Sequence, residues 1–298
     1  MRSEGLLYIE NDALRVGITV NGAEMRVLYD KNARYDILKC PDDPSWGGTA
    51  PLLFPICGRL TEQTTRIGGT DYRMGTHGFL GASRFTVTSH KSDRLELSFS
   101  GSDEIYEGAY PFRFTVTAKY TVRDRSLETR LTVKNRDTVP IPFTVGFHPA
   151  FRLPLADHST RDDAYLEFPE NREPQAWRLS ESGFLLRGTD AYPLQGGCRL
   201  PLTAEVFSEN TSVFLEKTGD RVRLRSRGCD RSIRLDYEGF PYLGLWRPDD
   251  EGASFICIEP WMGCPDYDGE ITELSKKRDM LLLPAGETRS FAYTVTVE

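Results

Sequence analysis

The chain has 298 residues, and its 44 acidic and 37 basic side chains give a formal net charge of −7. The two signs are interspersed, with no basic run and no apolar run long enough to cross a membrane, which argues against a nucleic-acid surface and a transmembrane helix. No leading apolar segment resembles a signal peptide. We therefore expect a cytoplasmic protein, a monomer or homodimer, whose partners include neither nucleic acid nor membrane.

Period-two alternation of apolar and polar residues becomes clear from Arg84 onward and is typical of antiparallel strands with one solvated face. Asn21-Gly22 is a hairpin signal, because both residues tolerate positive φ. A Pro- and Gly-rich loop is expected over residues 41–59 around a short buried run at 52–57, and one helical turn at 103–110. The predicted strands here are 6–10, 14–20, 24–29, 85–90, 94–100, 112–123 and 127–134.

The segment FTVGFHPAFRLP, residues 143–154, contains His148, one of the chain's 4 histidines. The apolar run 143–147 predicts a buried strand, and the proline after His148 marks the end of that strand. A histidine held at the rim of a sheet is suited to donate or accept a proton near neutral pH. A purely structural histidine is the alternative that the residue type alone leaves open.

The second half of the chain contains further short strands and no long amphipathic helical pattern. Residues 155–197 are expected to be rich in loops. Many short strands with few helices predict an all-β sandwich or barrel, and without a convincing linker we expect one domain over residues 1–298. The predicted strands are 212–217, 221–226, 232–237, 242–246, 255–259, 281–283 and 291–297.

Three further residues are candidates for a polar site. Glu259 ends an apolar strand beside Trp261, where burial would raise the pKa of its carboxyl group and a flat ring could cover a sugar. Arg59 follows a glycine and offers a fork of donors, and His77 lies between two glycines in a loop. The alternatives are an ion-paired carboxylate, a surface arginine and a solvated histidine.

The 6 cysteines include no Cys-x-x-Cys pair, and some lie in apolar runs. They are expected to be buried reduced thiols rather than a disulfide framework or a zinc site. A single catalytic cysteine stays possible, although no cysteine is next to a histidine in the sequence. No cluster of His, Cys, Asp and Glu has the spacing of metal ligands, so neither a metal nor a cofactor is expected.

The motifs WGGTAPLLFPICGRL, THGF, VGFHPAF, GFPYLGLWRP and ICIEPW follow one another in this order, and the chain ends in TELSKKRDMLLLPAGETRSFAYTVTV. Taken together they resemble the aldose 1-epimerase (mutarotase) family, and most of all its LacX-like branch. The resemblance runs from about Glu10 to Val297, nearly the whole chain.

The resemblance implies a large antiparallel β-sandwich of the galactose mutarotase type. It implies that His148 is the general acid, that Glu259 is the general base, and that Arg59 and His77 bind sugar hydroxyls. Two departures bear on the choice of sugar. His77-Gly78-Phe79 replaces a His-Gly-Gly, and no Asp-His-Asn stretch lies between acid and base, Glu209-Asn210 being the nearest candidate.

The expected activity is interconversion of the α and β anomers of a free, unphosphorylated aldose, with Trp46 or Trp261 against the sugar ring. One alternative is an epimerase of hexose 6-phosphates, and another is a non-catalytic sugar-binding module. A glycosidase would need a second acid such as Asp266 or Asp268. The basic residues available for a phosphate are Arg59, Arg66, Arg73, Arg84, Arg152 and Arg247, the last followed by Asp249, Asp250 and Glu251.

Overall fold

Two large antiparallel sheets form the body of the molecule in a computed structural model that describes residues 5–156, 158–169, 172–207, 212–248 and 253–298. The first half of the described chain forms strands β1 (Leu6–Glu10), β2 (Leu14–Thr19), β3 (Met25–Asp30), β4 (Tyr35–Asp36), β5 (Leu52–Leu53), β6 (Thr64–Ile67), β7 (Thr70–Arg73), β8 (Thr86–His90), β9 (Arg94–Ser100), β10 (Phe114–Arg123), β11 (Ser126–Asn135), β12 (Ile141–Phe143), β13 (Gly146–Phe147) and β14 (Ala150–Arg152).

The second half of the described chain continues the same two sheets. Its strands are β15 (Ala164–Glu167), β16 (Gln175–Leu179), β17 (Leu185–Ala191), β18 (Arg199–Pro201), β19 (Ser212–Glu216), β20 (Arg221–Ser226), β21 (Ile233–Asp236), β22 (Tyr242–Trp246), β23 (Phe255–Trp261), β24 (Leu281–Leu283) and β25 (Thr288–Val297). Helices are short: α1 (Asp103–Gly108) and 3-10 turns at Thr61–Gln63, Leu80–Ala82, Arg161–Asp163, Ala204–Phe207 and Leu274–Lys276.

In the described chain, one sheet has the strand order β18-β15-β20-β21-β25-β11-β10-β9-β8. The other, which we call the site sheet, has the order β17-β16-β19-β22-β23-β13-β5, with β14 also paired to β23. The strands β1 to β4 form a smaller sheet of their own. None of the helices in these ranges is long and apolar enough to span a membrane.

The hairpin of β10 and β11 shows why the alternating sequence forms this sheet. Val116 pairs with Val133 and Ala118 with Leu131, and all four are buried, while the threonines between them are only half-buried. Successive side chains on a strand point to opposite faces, so one face of the hairpin is apolar and the other polar. The predicted pairing of these two segments is confirmed, with ends shifted by one or two residues.

Aromatic side chains fill the space between the two sheets. The rings of Phe147 on β13 and Tyr293 on β25 lie 4.6 Å apart between centroids, and those of Phe143 and Phe291 lie 6.1 Å apart. Burial of each such side chain stabilises the fold by about 1.5–3 kcal/mol. The predicted all-β antiparallel sandwich is confirmed. One buried cluster extends from Ile9 to Val297. The single domain over residues 1–298 stays a prediction.

One prediction about local structure is wrong, and another is incomplete. Residues 143–147 are not one strand. Phe143 is the last residue of β12, which pairs with β24, whereas Gly146 and Phe147 form β13, which pairs with β5 and β23. The expected loop-rich segment 155–197 contains β15, β16 and β17. In β17 only Leu185 is buried. The strand therefore lacks the alternation of apolar and polar residues that marks a half-buried strand in a sequence.

The cysteines are free, as expected, but not all of them are buried. Cys57, Cys257 and Cys264 are buried, whereas Cys40 is exposed. The remaining two, Cys198 and Cys229, are partly exposed.

Candidate active site

The floor of the candidate site is the face of β23 that points away from the main core. Ile256 and Ile258 lie in the main core, whereas Cys257 lies in a small separate buried group and Glu259 lines a cavity. Opposite Glu259 on β22 is Gly244, where a Cβ would lie 3.3 Å from Glu259 Cβ. The glycine therefore leaves room for the glutamate side chain.

His148 lies between β13 and β14, which both pair with β23. Its backbone N–H donates to the carbonyl oxygen of Pro51 at 3.2 Å. This double attachment places the imidazole beside the glutamate, with His148 Nε2 3.0 Å from Glu259 Oε2. The two side chains are only 8% and 3% exposed, so the pair is held on rigid strands and largely removed from bulk water.

Burial shifts the proton affinities of the pair in opposite directions. Loss of solvation raises the pKa of Glu259 well above its ordinary value, because the charged carboxylate is penalised. The same effect, with a smaller contribution from His77, lowers the pKa of His148 well below its ordinary value. Between these two values the pair holds one proton, and the directions of the two shifts place that proton on Glu259, 3.0 Å from His148.

A cavity of about 390 Å³ opens above this pair. Its volume lies within the usual range for sites that bind small molecules. The structure brings all the sequence-predicted site residues to its wall: Trp46, Arg59, His77, His148, Glu259 and Trp261.

His77 is a neutral hydrogen-bond donor fixed by its own backbone turn. The N–H of Gly58 donates to His77 Nδ1 at 3.0 Å, and the N–H of His77 donates to the Gly58 carbonyl at 2.8 Å. The proton of the ring is therefore on Nε2. Burial, followed by the positive charge of Arg59, lowers the pKa of His77 to about 4, so the ring stays neutral at physiological pH.

The turn at His77 needs the glycine that follows it. His77 and Gly78 both have left-handed backbone angles, with φ of 66° and 77°. A Cβ at Gly78 would lie 2.1 Å from the carbonyl oxygen of Phe54. Only glycine allows the two loops to approach so closely.

Arg59 is held by its backbone while its side chain stays exposed. Its carbonyl accepts from the N–H of Asp266 at 2.9 Å, and its guanidinium has no hydrogen-bond or ion-pair partner within the described ranges. The carboxylate of Asp266 is engaged on both oxygens, by Lys277 Nζ at 2.6 Å and by the N–H of Thr61 at 3.0 Å. Asp266 therefore anchors this loop, and neither it nor exposed Asp268 lines the cavity. These contacts argue against a second catalytic acid at this position.

Indole rings form much of the remaining wall. Trp46 lies over His148, with ring centroids 4.8 Å apart and planes tilted by 32°. Trp261 meets His77 edge to face at 5.3 Å, and Trp246 meets Trp46 in the same way at 5.3 Å. Flat apolar rings beside polar groups suit the C–H faces and hydroxyls of a sugar.

Several residues of the wall were not predicted from the sequence. Trp246 belongs to the GFPYLGLWRP motif and pairs with Cys257 across β22 and β23, so its place in that motif was an available signal. Glu181 lies in the turn between β16 and β17, where the sequence offers no signal. The other unpredicted residues are Thr76, Ser182, Gly183, Ser212 and Pro265, with Gly58 of the CGRL motif.

Two arginines expected near the cavity do not line it. Arg152 lies over the ring of Tyr35, with 4.7 Å from its Cζ to the ring centroid. Arg247 is buried and donates to the carbonyl of Leu202 at 3.1 Å. Arg66, Arg73 and Arg84 are also absent from the wall, so Arg59 is the one arginine among the described residues that line it. The acidic residues Asp249, Asp250 and Glu251, and the pair Glu209-Asn210, lie outside the described residues.

The structure also assembles a group of possible metal ligands that the sequence spacing did not reveal. A ring nitrogen of His148, the sulfur of Cys257 and a carboxylate oxygen of Glu259 all lie within 4.8 Å of one another. His148 is far from the other two in the chain and reaches them through the strand pairing of β13 and β14 with β23. The expectation that no such cluster exists is therefore wrong.

Known proteins resemble this chain over nearly its whole length. The family model described as aldose 1-epimerase matches residues 5–294. A galactose mutarotase-like protein from Lactobacillus casei superposes with a TM-score of 0.92, at 33% identity over 99% of this chain and 100% of that one. A galactose mutarotase related enzyme from Lactobacillus acidophilus gives the same TM-score at 25% identity, covering 98% and 97% of the two chains.

A curated protein is also similar to this chain in amino-acid sequence. The chromosomal protein LacX of Lactococcus lactis is 29% identical, covering 98% of this chain and 99% of its own length. The family match, over nearly all of the chain, includes both His148 and Glu259. The chain belongs to the aldose 1-epimerase family.

Proposed function

We propose that the protein is a mutarotase that interconverts the α and β anomers of a free aldose by opening and reclosing the sugar ring. The observation that carries the proposal is the buried pair of His148 and Glu259, with Nε2 and Oε2 3.0 Å apart at the base of the cavity. The two oxygens that exchange protons in this reaction, O1 and O5, are bonded to the same carbon. A proton donor and a proton acceptor therefore have to lie close together, as these two side chains do.

In the ring-opening step, Glu259 takes the proton from the C1 hydroxyl and His148 gives a proton to the ring oxygen. The C1–O5 bond breaks and C1 becomes an aldehyde carbon. Rotation about the C1–C2 bond presents the other face of the aldehyde, and the ring recloses as both protons return. No atom is gained or lost, and each positioned proton transfer typically contributes ~10²–10⁴ in rate.

The opposed pKa shifts suit a pair that has to serve in both directions. Because burial raises the pKa of Glu259 and lowers that of His148, the resting pair is a neutral carboxylic acid beside a neutral imidazole. Transfer of that proton from Glu259 to His148 gives the carboxylate base and the imidazolium acid without a change in the number of protons on the pair. In water the ordinary pKa values of glutamate and histidine differ by about 2 units, so a carboxylate and an imidazolium are favoured there over the two neutral forms.

The wall of the cavity supports recognition of sugar hydroxyls. Arg59 supplies several N–H donors, and His77 supplies one N–H from a neutral ring whose pKa is lowered to about 4. Glu181 and the hydroxyls of Ser182 and Ser212 provide acceptors on the same cavity wall. Trp46 and Trp261 are placed to cover apolar faces of the ring.

Anomer exchange measured by NMR on glucose, galactose and several pentoses tests the proposal. We expect exchange faster than in buffer for at least one free aldose, in protein treated with EDTA as well as untreated protein. Absence of acceleration on every free aldose and aldose phosphate would refute the enzyme and leave a sugar-binding module of the same fold. A cytoplasmic location is part of the proposal, and fractionation of the source cells would test it.

A further inference from the structure

Cys257 lies against the proposed acid–base pair, and the proposed reaction does not use it. Its sulfur, a ring nitrogen of His148 and a carboxylate oxygen of Glu259 are within 4.8 Å of one another, and all three residues are buried. The cluster combines nitrogen, sulfur and oxygen donors at one point.

The strand pairing fixes the positions of the three side chains. Cys257 and Glu259 are separated by one residue on β23, so their side chains leave the same face of the strand. Ala150 on β14 pairs with Cys257, and Gly146 on β13 pairs with Trp261. His148 lies midway between these two paired positions and is therefore held above the segment that carries both other side chains.

This set of donors matches the preferences of Zn²⁺. Zinc binds cysteine sulfur at ~2.3 Å and histidine nitrogen or carboxylate oxygen at ~2.0–2.2 Å, in tetrahedral geometry. Those bond lengths place neighbouring ligand atoms ~3.3–3.8 Å apart. Side-chain movements of about 1 Å would therefore bring the three ligand atoms to bonding distance from one ion. Mg²⁺ and Ca²⁺ prefer oxygen ligands and are not expected to bind.

We propose that His148, Cys257 and Glu259 form a Zn²⁺ site and that the ion inhibits sugar turnover by occupying both groups that transfer protons. His148 and Glu259 line the cavity, so water or a sugar hydroxyl could supply a fourth ligand from that side. Binding releases the protons held by the thiol and by the carboxyl pair, so affinity rises with pH. Binding of the ion stands independently of the proposed function, whereas inhibition rests on it.

Metal binding is tested on the full chain by equilibrium dialysis against Zn²⁺ alone and by titration with Co²⁺. We expect one tightly bound ion per chain in the unaltered protein and a thiolate-to-Co²⁺ charge-transfer absorption. Cys257→Ser and Cys257→Ala should both lose the tight site, and Cys40→Ser, at an exposed cysteine, should keep it. Equal zinc binding by the Cys257 variants would overturn the site. Absence of thiolate absorption in the unaltered protein would also overturn it, and that result does not depend on whether any variant folds.

Inhibition is tested by adding Zn²⁺ to the anomer exchange assay. We expect inhibition that competes with the sugar and is reversed by EDTA. Without zinc, Cys257→Ser should exchange anomers at the normal rate. It should need at least about tenfold more Zn²⁺ for the same inhibition, because even the loss of a group that only hydrogen-bonds to a zinc ligand costs about 10–100-fold in metal affinity. Equal sensitivity of the two proteins would contradict the inhibitory role. If no aldose is turned over at all, the dialysis result still decides whether the site exists.

Discussion

The proposed chemistry depends on two side chains that cannot replace each other. Glu259→Gln keeps the shape of the side chain, but the amide cannot accept the C1 proton, so we expect anomer exchange to fall by ~10²-fold or more. His148→Asn removes the ring proton donor and should cost a similar factor. The rates are compared by NMR, and retention of more than about a tenth of the activity in Glu259→Gln would contradict its role as base.

A variant that carries both substitutions, Glu259→Gln and His148→Asn, tests whether the two residues act in one step. The two residues act in one step, so a protein carrying both substitutions should be about as slow as either single variant rather than slower by the product of their effects. Circular dichroism and thermal melting serve as the control that each variant is folded. Multiplicative losses would indicate that the two residues act in separate steps.

The opposed pKa shifts predict a broad pH optimum. The active form holds one proton on the pair, so activity falls at low pH when His148 takes a second proton and at high pH when Glu259 loses the last one. Because burial lowers the pKa of His148 and raises that of Glu259, the acid limb lies below the ordinary histidine pKa of ~6.5, and the alkaline limb lies above the ordinary glutamate range. The dependence of kcat/KM on pH measures both limbs. A single acid limb at the ordinary histidine value would show that burial does not control the pair.

At the scale of the elements, the loop that carries His77 depends on a close contact between backbones. An alanine at Gly78 would meet the Phe54 carbonyl oxygen at 2.1 Å and would adopt a left-handed conformation costing ~1–2 kcal/mol. We expect Gly78→Ala to lower the melting temperature and to raise KM by displacing His77. Gly75→Ala in the same loop is the matched control, because no atom lies within 4 Å of its added Cβ. Similar behaviour of the two variants would show that the contact is unimportant.

The β16–β17 hairpin is the element expected to tune sugar binding. Its turn is fixed over the cavity because the N–H of Leu185 donates to the carbonyl of Asp266 at 2.9 Å, and it carries Glu181 to the wall. Within the described ranges no hydrogen bond or ion pair joins Glu181 to the proton-transfer pair, so Glu181→Gln should raise KM and leave kcat nearly unchanged. Steady-state kinetics separate the two effects. A loss in kcat equal to the loss in kcat/KM would instead assign Glu181 a role in the transition state.

The two hairpins of this sandwich show what a single sequence can reveal. The β10–β11 hairpin was predictable because each buried residue alternates with a half-exposed one over the full length of both strands. The β16–β17 hairpin was not, because its register shifts between Trp177 and Leu179 and β17 buries only Leu185. Glu181 therefore lay in a segment without a readable pattern, and its place on the cavity wall follows from tertiary pairing alone.

The candidate site itself was largely predictable because its residues follow strand ends and glycine turns. His148 precedes a proline, Glu259 ends an apolar run and His77 lies between glycines, and all three line one cavity. The proximity of Cys257 to His148 was not predictable, because it depends on which strands pair with β23. Sequence patterns identify residues that can do chemistry, and strand register determines which of them meet.

At the scale of the whole molecule, charge favours a neutral substrate. The chain carries a net charge of −7, and a phosphate ester with nearly two negative charges would be opposed at long range. Close to the cavity, the described residues offer one arginine, Arg59, and oppose it with the carboxylate of Glu181. Phosphate sites usually gather several Arg or Lys side chains or a helix N-terminus. Arg152 and Arg247, the two other arginines expected near the cavity, make their contacts elsewhere.

We therefore expect kcat/KM for glucose or galactose to exceed that for the corresponding 6-phosphate. The comparison is made at two salt concentrations, because screening weakens long-range repulsion and should raise kcat/KM for the phosphate more than for the free sugar. Arg59→Lys keeps the positive charge but loses the fork of donors, so it should weaken binding of the free sugar if hydroxyl recognition is its role. A preference for a 6-phosphate of tenfold or more, equivalent to about 1.4 kcal/mol, would reverse the assignment. In that case Arg59 would be the first candidate for the phosphate contact, and its replacement by alanine should abolish the preference.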